Sequence, residues 1–281
     1  MVCNICNNLL SLFLLIFCLL TQLDRNSGHC ACSQHHESLI YGGWGMMHRL
    51  WLIFICLLPA PILALEFSSD AGKTTVVELY TSEGCSSCPP ADKWLSSLKS
   101  DPDLFKTLLP MAFHVDYWDG LGWSDRFASE AYSQRQREMV RQGILSQVYT
   151  PGFVVNSREW RGWFNGQTTL KKPDSMPGIL SVSLNDGQLA IRFDSNETLM
   201  AHVAVLGMGL GSEVEAGENR GRRLEHDFVV LDKRQLSGQQ YWQTSLAAWP
   251  DKQQQQTAIA VWLTRPGSLE VIQAAGGYLE Q

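Results

Sequence analysis

The segment Val76–Asp92 constrains this chain more than any other. It reads as a short β-rich strand, a polar turn, Cys85 and Cys88 separated by Ser86 and Ser87, and then the start of a helix. A pair of thiols at a strand-to-helix turn suits a redox-active dithiol. The N–H groups of the turn and of the helix N-terminus favour a thiolate at Cys85. Cys88 is close enough in the chain to resolve a mixed disulfide, provided that Cys85 is exposed. Pro89 and Pro90 complicate the picture, because each disfavours the helical conformation in the residue before it. The helix is therefore expected from about Pro90, which puts Cys85 outside the strongest part of its dipole.

The importance of that pair grows when the other cysteines are placed. Of the eight cysteines, Cys3, Cys6, Cys18, Cys30 and Cys32 precede Met46, and Cys56 lies in the apolar run that follows it. Residues 46–64 have a basic start at His48-Arg49, an apolar core too short to span a bilayer, and a small residue, Ala64, at a plausible cleavage point. They read as a signal peptide, so the chain is expected to be exported, to the periplasm or beyond, and to meet the membrane only through that signal. Residues 1–45 then read as a spurious or non-structural extension. The rival readings are a short anchor from Leu9 to Leu23 and a metal site at Cys30, Cys32, His35 and His36, whose spacing matches no standard zinc pattern. The mature chain keeps only Cys85 and Cys88.

Composition is that of an ordinary globular protein, 45% hydrophobic and 18% charged among 281 residues. A net charge of −6 gives no basic field, which argues against a nucleic-acid partner. After the dithiol, Trp94, Leu95 and Leu98 form a helical stripe, and Met111–Asp116 is a second apolar strand. A helix between two such strands favours a parallel β-α-β unit. An aromatic and glycine loop, Tyr117–Trp123, follows, then a helix from about Asp125 to Gln142 capped by Ser124. Thr150-Pro151 precedes a strand at Phe153–Val155, a position that suits a cis bond. Lys171–Gly178 is the clearest linker. Beyond it come about seven short strands, with Asn185-Asp186-Gly187 as a strong hairpin signal. The expected class is α/β, with one domain over 70–172 and a β-rich, sandwich-like subdomain over 178–281.

Three other uses of the cysteines compete with redox chemistry. A staple closing so small a loop contributes only about 2 kcal/mol. A zinc site lacks partners, because the histidines of the mature chain, His114, His202 and His226, lie far apart in sequence. A copper site from Cys85, Cys88 and His114 is chemically reasonable. A recognition module with an inert disulfide and a binding loop at Tyr117–Trp123 is a further alternative. Glu78, on the strand before the dithiol, is a candidate proton acceptor for Cys88 if it faces the cysteines. His114 and Asp116 end the neighbouring strand, where open α/β sheets place their sites. No cofactor is called for.

The blocks Glu78–Asp92, Ala112–Asp119 and Tyr149-Thr150-Pro151, together with Gly217–His226, resemble the secreted thioredoxin-like family known as domain of unknown function 1223. That resemblance implies a thioredoxin-like fold with Cys85 as nucleophile, Cys88 as resolving thiol and Pro151 as the proline facing them. Thr150 and Trp118 would be the adjoining substrate contacts. Partners would be protein or small-molecule thiols and disulfides. Arg222–His226 is expected to form a structural hairpin, with a partner surface as the alternative.

Overall fold

A computed structural model of the protein describes residues 65–246 and 248–279. The expectations for residues 1–64, the extension and the signal peptide, lie outside the described residues. No helix among the described residues is long and apolar enough to cross a membrane.

The chain opens with β1 (Leu65–Ser68) and then enters β2 (Thr75–Thr81), every residue of which is buried. Burial on both faces is the mark of a central strand. Helix α1 (Pro89–Ser97) carries the chain over to β3 (Leu108–His114), which is parallel to β2 with Thr75 opposite Leu108 and Thr81 opposite His114. Helix α2 (Glu130–Arg141) covers the other face: Tyr132 meets Phe113 edge-on, while Trp94 of α1 meets Phe153 on the opposite side. Strand β4 (Gly152–Val155) follows the cis Thr150–Pro151 bond and pairs antiparallel to β2. Pro151 stands just outside the ladder, where its missing N–H costs nothing. Asn156 and Ser157, both at positive φ, turn the chain into β5 (Arg158–Glu159). This is a thioredoxin-like arrangement, as the sequence leads one to expect.

Two local expectations shift. Helix α1 begins at Pro89 with Cys88 as its N-cap, so the two prolines fill its first turn, where no backbone N–H is needed. Helix α2 begins after Ser129, whose side chain accepts from Ala131 N, rather than after Ser124. Asp125 is drawn into other contacts, described below.

The β-rich half consists of β6 (Leu180–Asn185), β7 (Gln188–Phe193), β8 (Leu199–Met208), β9 (Leu210–Glu213), β10 (Arg223–His226), β11 (Val229–Gly238), β12 (Tyr241–Ser245), β13 (Gln256–Thr264) and β14 (Val271–Tyr278). Seven of its strands divide between two layers, and β9 and β10 form a separate two-stranded ribbon. Four of the seven extend the first sheet, giving the order β14-β13-β8-β11-β3-β2-β4-β5, in which β11 joins β3 in parallel at Val229 and Ala112. The other three, β6, β7 and β12, form with β1 a four-stranded sheet that buries Leu180, Val182, Ile191 and Trp242 against Val203, Val261 and Ala275 of the large sheet. The sandwich-like region is thus real, but one of its layers is continuous with the thioredoxin-like sheet. The linker is also pinned. Buried Gln273 donates to the carbonyls of Asp70, Gly72 and Gly178, and its oxygen accepts from the N–H groups of Thr74 and Ala274.

Candidate functional site

Cys85 and Cys88 are joined in a disulfide that spans the turn between β2 and α1. The turn is held by its own backbone: Cys85 N donates to Ser82 O, and Cys88 N to Cys85 O. Gly84 is needed here, because a Cβ at that position would stand 2.9 Å from Trp118 Cβ. Trp118 in turn donates from Nε1 to Thr150 Oγ1 at 2.9 Å, directly before the cis Pro151. The fold therefore links the dithiol turn to Trp118, Thr150 and Pro151, the residues expected to contact substrate.

Cys85 is not exposed, contrary to the expectation. It is 1% accessible and Cys88 is fully buried, although Ser86 and Ser87 between them are open to solvent. The loop between β9 and β10 is bound to the backbone of the dithiol turn. Asn219 Nδ2 donates to the carbonyls of Glu83 and Cys85 at 2.8 and 2.9 Å, and Glu218 accepts from Ser86 N at 3.0 Å. The Ser86 hydroxyl, together with that N–H, holds the Glu218 carboxyl below its usual range. Arg222 Nη1 braces Asn219 Oδ1, and the chain then enters β10, paired antiparallel to β9. Arg223–His226 is accordingly one strand of a hairpin with β9.

Glu78 does not face the cysteines. It shares the α2 face of β2 with Tyr80, and Arg135 of α2 holds it through both carboxylate oxygens, with Nη2 2.8 Å from Oε2 and 3.0 Å from Oε1. The alternation of β2 decides this: Thr81, on the other face, reaches α1 by donating to Asp92 Oδ2. Asp116 is likewise committed elsewhere, accepting from Ser133 Oγ.

Beneath the dithiol turn, on the α1 face, lies a buried group that the sequence reading did not assemble: Glu83, Asp92, His114, Asp125 and His226. His114 Nδ1 lies 2.7 Å from Asp125 Oδ2, which also accepts from Glu83 N. His226 stands edge-on to His114, with ring centroids 4.9 Å apart. Its Nε2 is 3.3 Å from Glu83 Oε1, and its Nδ1 is 3.9 Å from Asp92 Oδ1. Burial alone would lower the pKa of His114, but Asp125, then Asp92 and Glu83, outweigh it and raise it to about 9. Burial raises the Asp92 carboxyl above its usual range, against the pull of His226 and His114. Asp125 is held low, because His114 more than offsets its burial. Three potential metal ligands meet here, Asp92, His114 and His226, and neither cysteine is among them. His114 is thus grouped with oxygen and nitrogen donors rather than with the two sulfurs that the copper reading needs.

The profile of the family described as "Protein of unknown function (DUF1223)" matches residues 76–264. The chain belongs to the DUF1223 family. The matched span runs from β2 through β13, so it takes in both the dithiol turn and the loop bound to it. No curated protein sequence matches the chain. Among solved structures, the crystal structure of protein AGR_C_4864 from Agrobacterium tumefaciens is similar, with 23% identity and a TM-score of 0.54 over 73% of this chain and 94% of that one. A structure described as HBP35 of Porphyromonas gingivalis matches with 15% identity and a TM-score of 0.46, over 75% of this chain and 76% of that one.

Of the residues missed at first, Asp92 carried a readable signal: it lies four residues after Cys88, one helical turn on, so its position beneath the thiol follows from helix geometry. Glu218, Asn219 and His226 lie more than a hundred residues from the dithiol. No local pattern could have placed them there.

Proposed function

We propose that this DUF1223 protein is an exported thiol-disulfide oxidoreductase that works through Cys85 and Cys88. The single observation that carries the reading is the position of the disulfide: at the N-terminus of α1, beyond the end of a central strand, and coupled through Trp118 to Thr150 and Pro151. In the exchange, a substrate thiolate attacks Cys85 Sγ, the S–S bond breaks, and the electron pair leaves on Cys88, giving a mixed disulfide. A second substrate thiolate then attacks the substrate sulfur and expels Cys85 as a thiolate. The protein ends reduced by two electrons and the substrate oxidised by two. The same steps in reverse reduce a substrate disulfide, and no cofactor enters either direction. Ser87 Oγ, 3.4 Å from Cys85 Sγ, is placed to donate to a thiolate there.

Because Cys85 is covered, attack requires the Asn219 and Glu218 contacts to open first. That same burial favours one rival, a binding module whose disulfide is inert. The two readings differ in dithiol-dependent insulin reduction and in refolding of reduced ribonuclease, each run with the wild type and Cys85→Ser. The oxidoreductase reading expects activity that Cys85→Ser abolishes, and a mixed disulfide with substrate that accumulates in Cys88→Ala. A reduction potential below about −300 mV with slow exchange would establish the inert module instead.

A further inference from the structure

We infer that Asp92, His114 and His226 form a buried site for a divalent cation of the zinc class. One ligand atom from each of the first three lies within 4.8 Å of the others, so modest contraction brings them around a single ion. The donors arrive from separate parts of the fold: Asp92 from α1, His114 from the end of β3 and His226 from the end of β10.

The polar atoms of the cluster point the same way. Nε2 of His114 is buried without a hydrogen-bond partner, and the ring nitrogens of His226 have only the long contacts, 3.3 and 3.9 Å, with the Glu83 and Asp92 carboxylates. Buried polar atoms are nearly always satisfied, so an orphan imidazole nitrogen beside such long contacts calls for an occupant. His114 has the orientation that metal-binding histidines have. Its Nδ1 side is fixed by the Asp125 carboxylate, which leaves Nε2 as the nitrogen that an ion would take, with release of a proton. Charge agrees, because the carboxylates of Glu83, Asp92 and Asp125 form ion pairs only with imidazoles among the described residues.

The donor set names the ion class. Two imidazoles and a carboxylate suit zinc, whereas calcium and magnesium prefer oxygen alone. Three protein donors leave the fourth position of a tetrahedral ion to water or another group. The ion would tie α1, β3 and β10 together beneath the dithiol turn. It uses neither sulfur, so the inference stands or falls independently of the redox reading.

The test is metal analysis of the exported full-length protein, stripped with a chelator and titrated with Zn²⁺, then with Co²⁺ as a spectroscopic probe. The expected result is one equivalent of Zn²⁺, tetrahedral visible bands with Co²⁺, and the same stoichiometry in the Cys85→Ser/Cys88→Ser variant. His226→Gln should lose the ion. Asp125→Asn, which removes only the support of His114, should weaken binding about 10–100-fold. A wild type that binds no Zn²⁺ would overturn the proposal, with protons on the imidazoles balancing the carboxylates instead. Loss of binding in the Cys85→Ser/Cys88→Ser variant would also overturn it, because the sulfurs would then be ligands.

Discussion

The buried pair of Glu78 and Arg135 separates a structural role from a redox one. Their side chains are 1% and 6% exposed, and Arg135 also lies over the rings of Phe113 and Trp262, 5.2 and 5.8 Å from their centroids. Replacing Arg135 by Met leaves Glu78 buried with only the Tyr80 hydroxyl, at 3.3 Å, as a partner. Removing one member of such a pair costs about 3–5 kcal/mol, because a buried charge is stranded. For a protein of this size that corresponds to a fall in melting temperature of roughly 6–20 °C. Replacing both, as Glu78→Leu/Arg135→Met, removes the charge together with its partner and should recover more than about 2 kcal/mol of the loss. Urea unfolding of the oxidised protein measures both effects. Reduction of the Cys85–Cys88 disulfide by dithiothreitol, scaled to the folded fraction, should not change in Glu78→Gln, because Glu78 faces α2. The reasoning is refuted if Glu78→Gln keeps wild-type stability while thiol exchange slows, since Glu78 would then be acting on Cys88.

Asn219→Ala removes two hydrogen bonds to the dithiol turn, each worth about 1 kcal/mol, so reduction by dithiothreitol should speed up roughly tenfold or more; an unchanged rate would mean that the loop does not limit access. Gly84→Ala forces a Cβ against Trp118 and should cost about 1–3 kcal/mol, read by thermal melting. His202 stacks on Trp262, and burial, with help from Lys233 and Arg135, lowers its pKa to about 2. The unfolded chain binds that proton below about pH 6.5 and the folded one does not, so stability should fall with pH below 6.5 by up to about 1.4 kcal/mol per unit. His202→Gln should remove that component, seen as a shallower dependence of urea stability on pH between 6.5 and 4.5.

What the sequence made legible was local. The β-α-β unit around the dithiol, the cis-compatible Thr150-Pro151 and the hairpin at Asn185-Asp186-Gly187 each rest on neighbouring residues, and each is found in place. The direction of Glu78 was not legible, because β2 is buried on both faces and its pattern distinguishes neither. Asp125 resembled a first-turn helix acid, yet its carboxylate binds His114, Glu83 N and Phe127 N, and α2 starts later for that reason. The hold on the dithiol turn depends on Asn219, 134 residues beyond Cys85, and its position follows only from the path of β8 through β11 across the sheet.

That path also explains why the β-rich half is more than an appendage. Strand β11 covers the edge of β3 that a free thioredoxin-like unit would leave partly unpaired, and it lies directly after the hairpin that supplies Asn219 and His226. The same excursion therefore binds the backbone of the dithiol turn and adds an imidazole to the acidic cluster. Cutting the chain at the linker would remove His226 and leave Glu83 and Asp92 without their imidazole partner. It would also uncover the hydrophobic residues Phe113, Leu109 and Met111 at the sheet edge and open Cys85 to solvent. The dithiol of this protein is thus set in surroundings completed by residues of both halves, Asn219 and His226 among them.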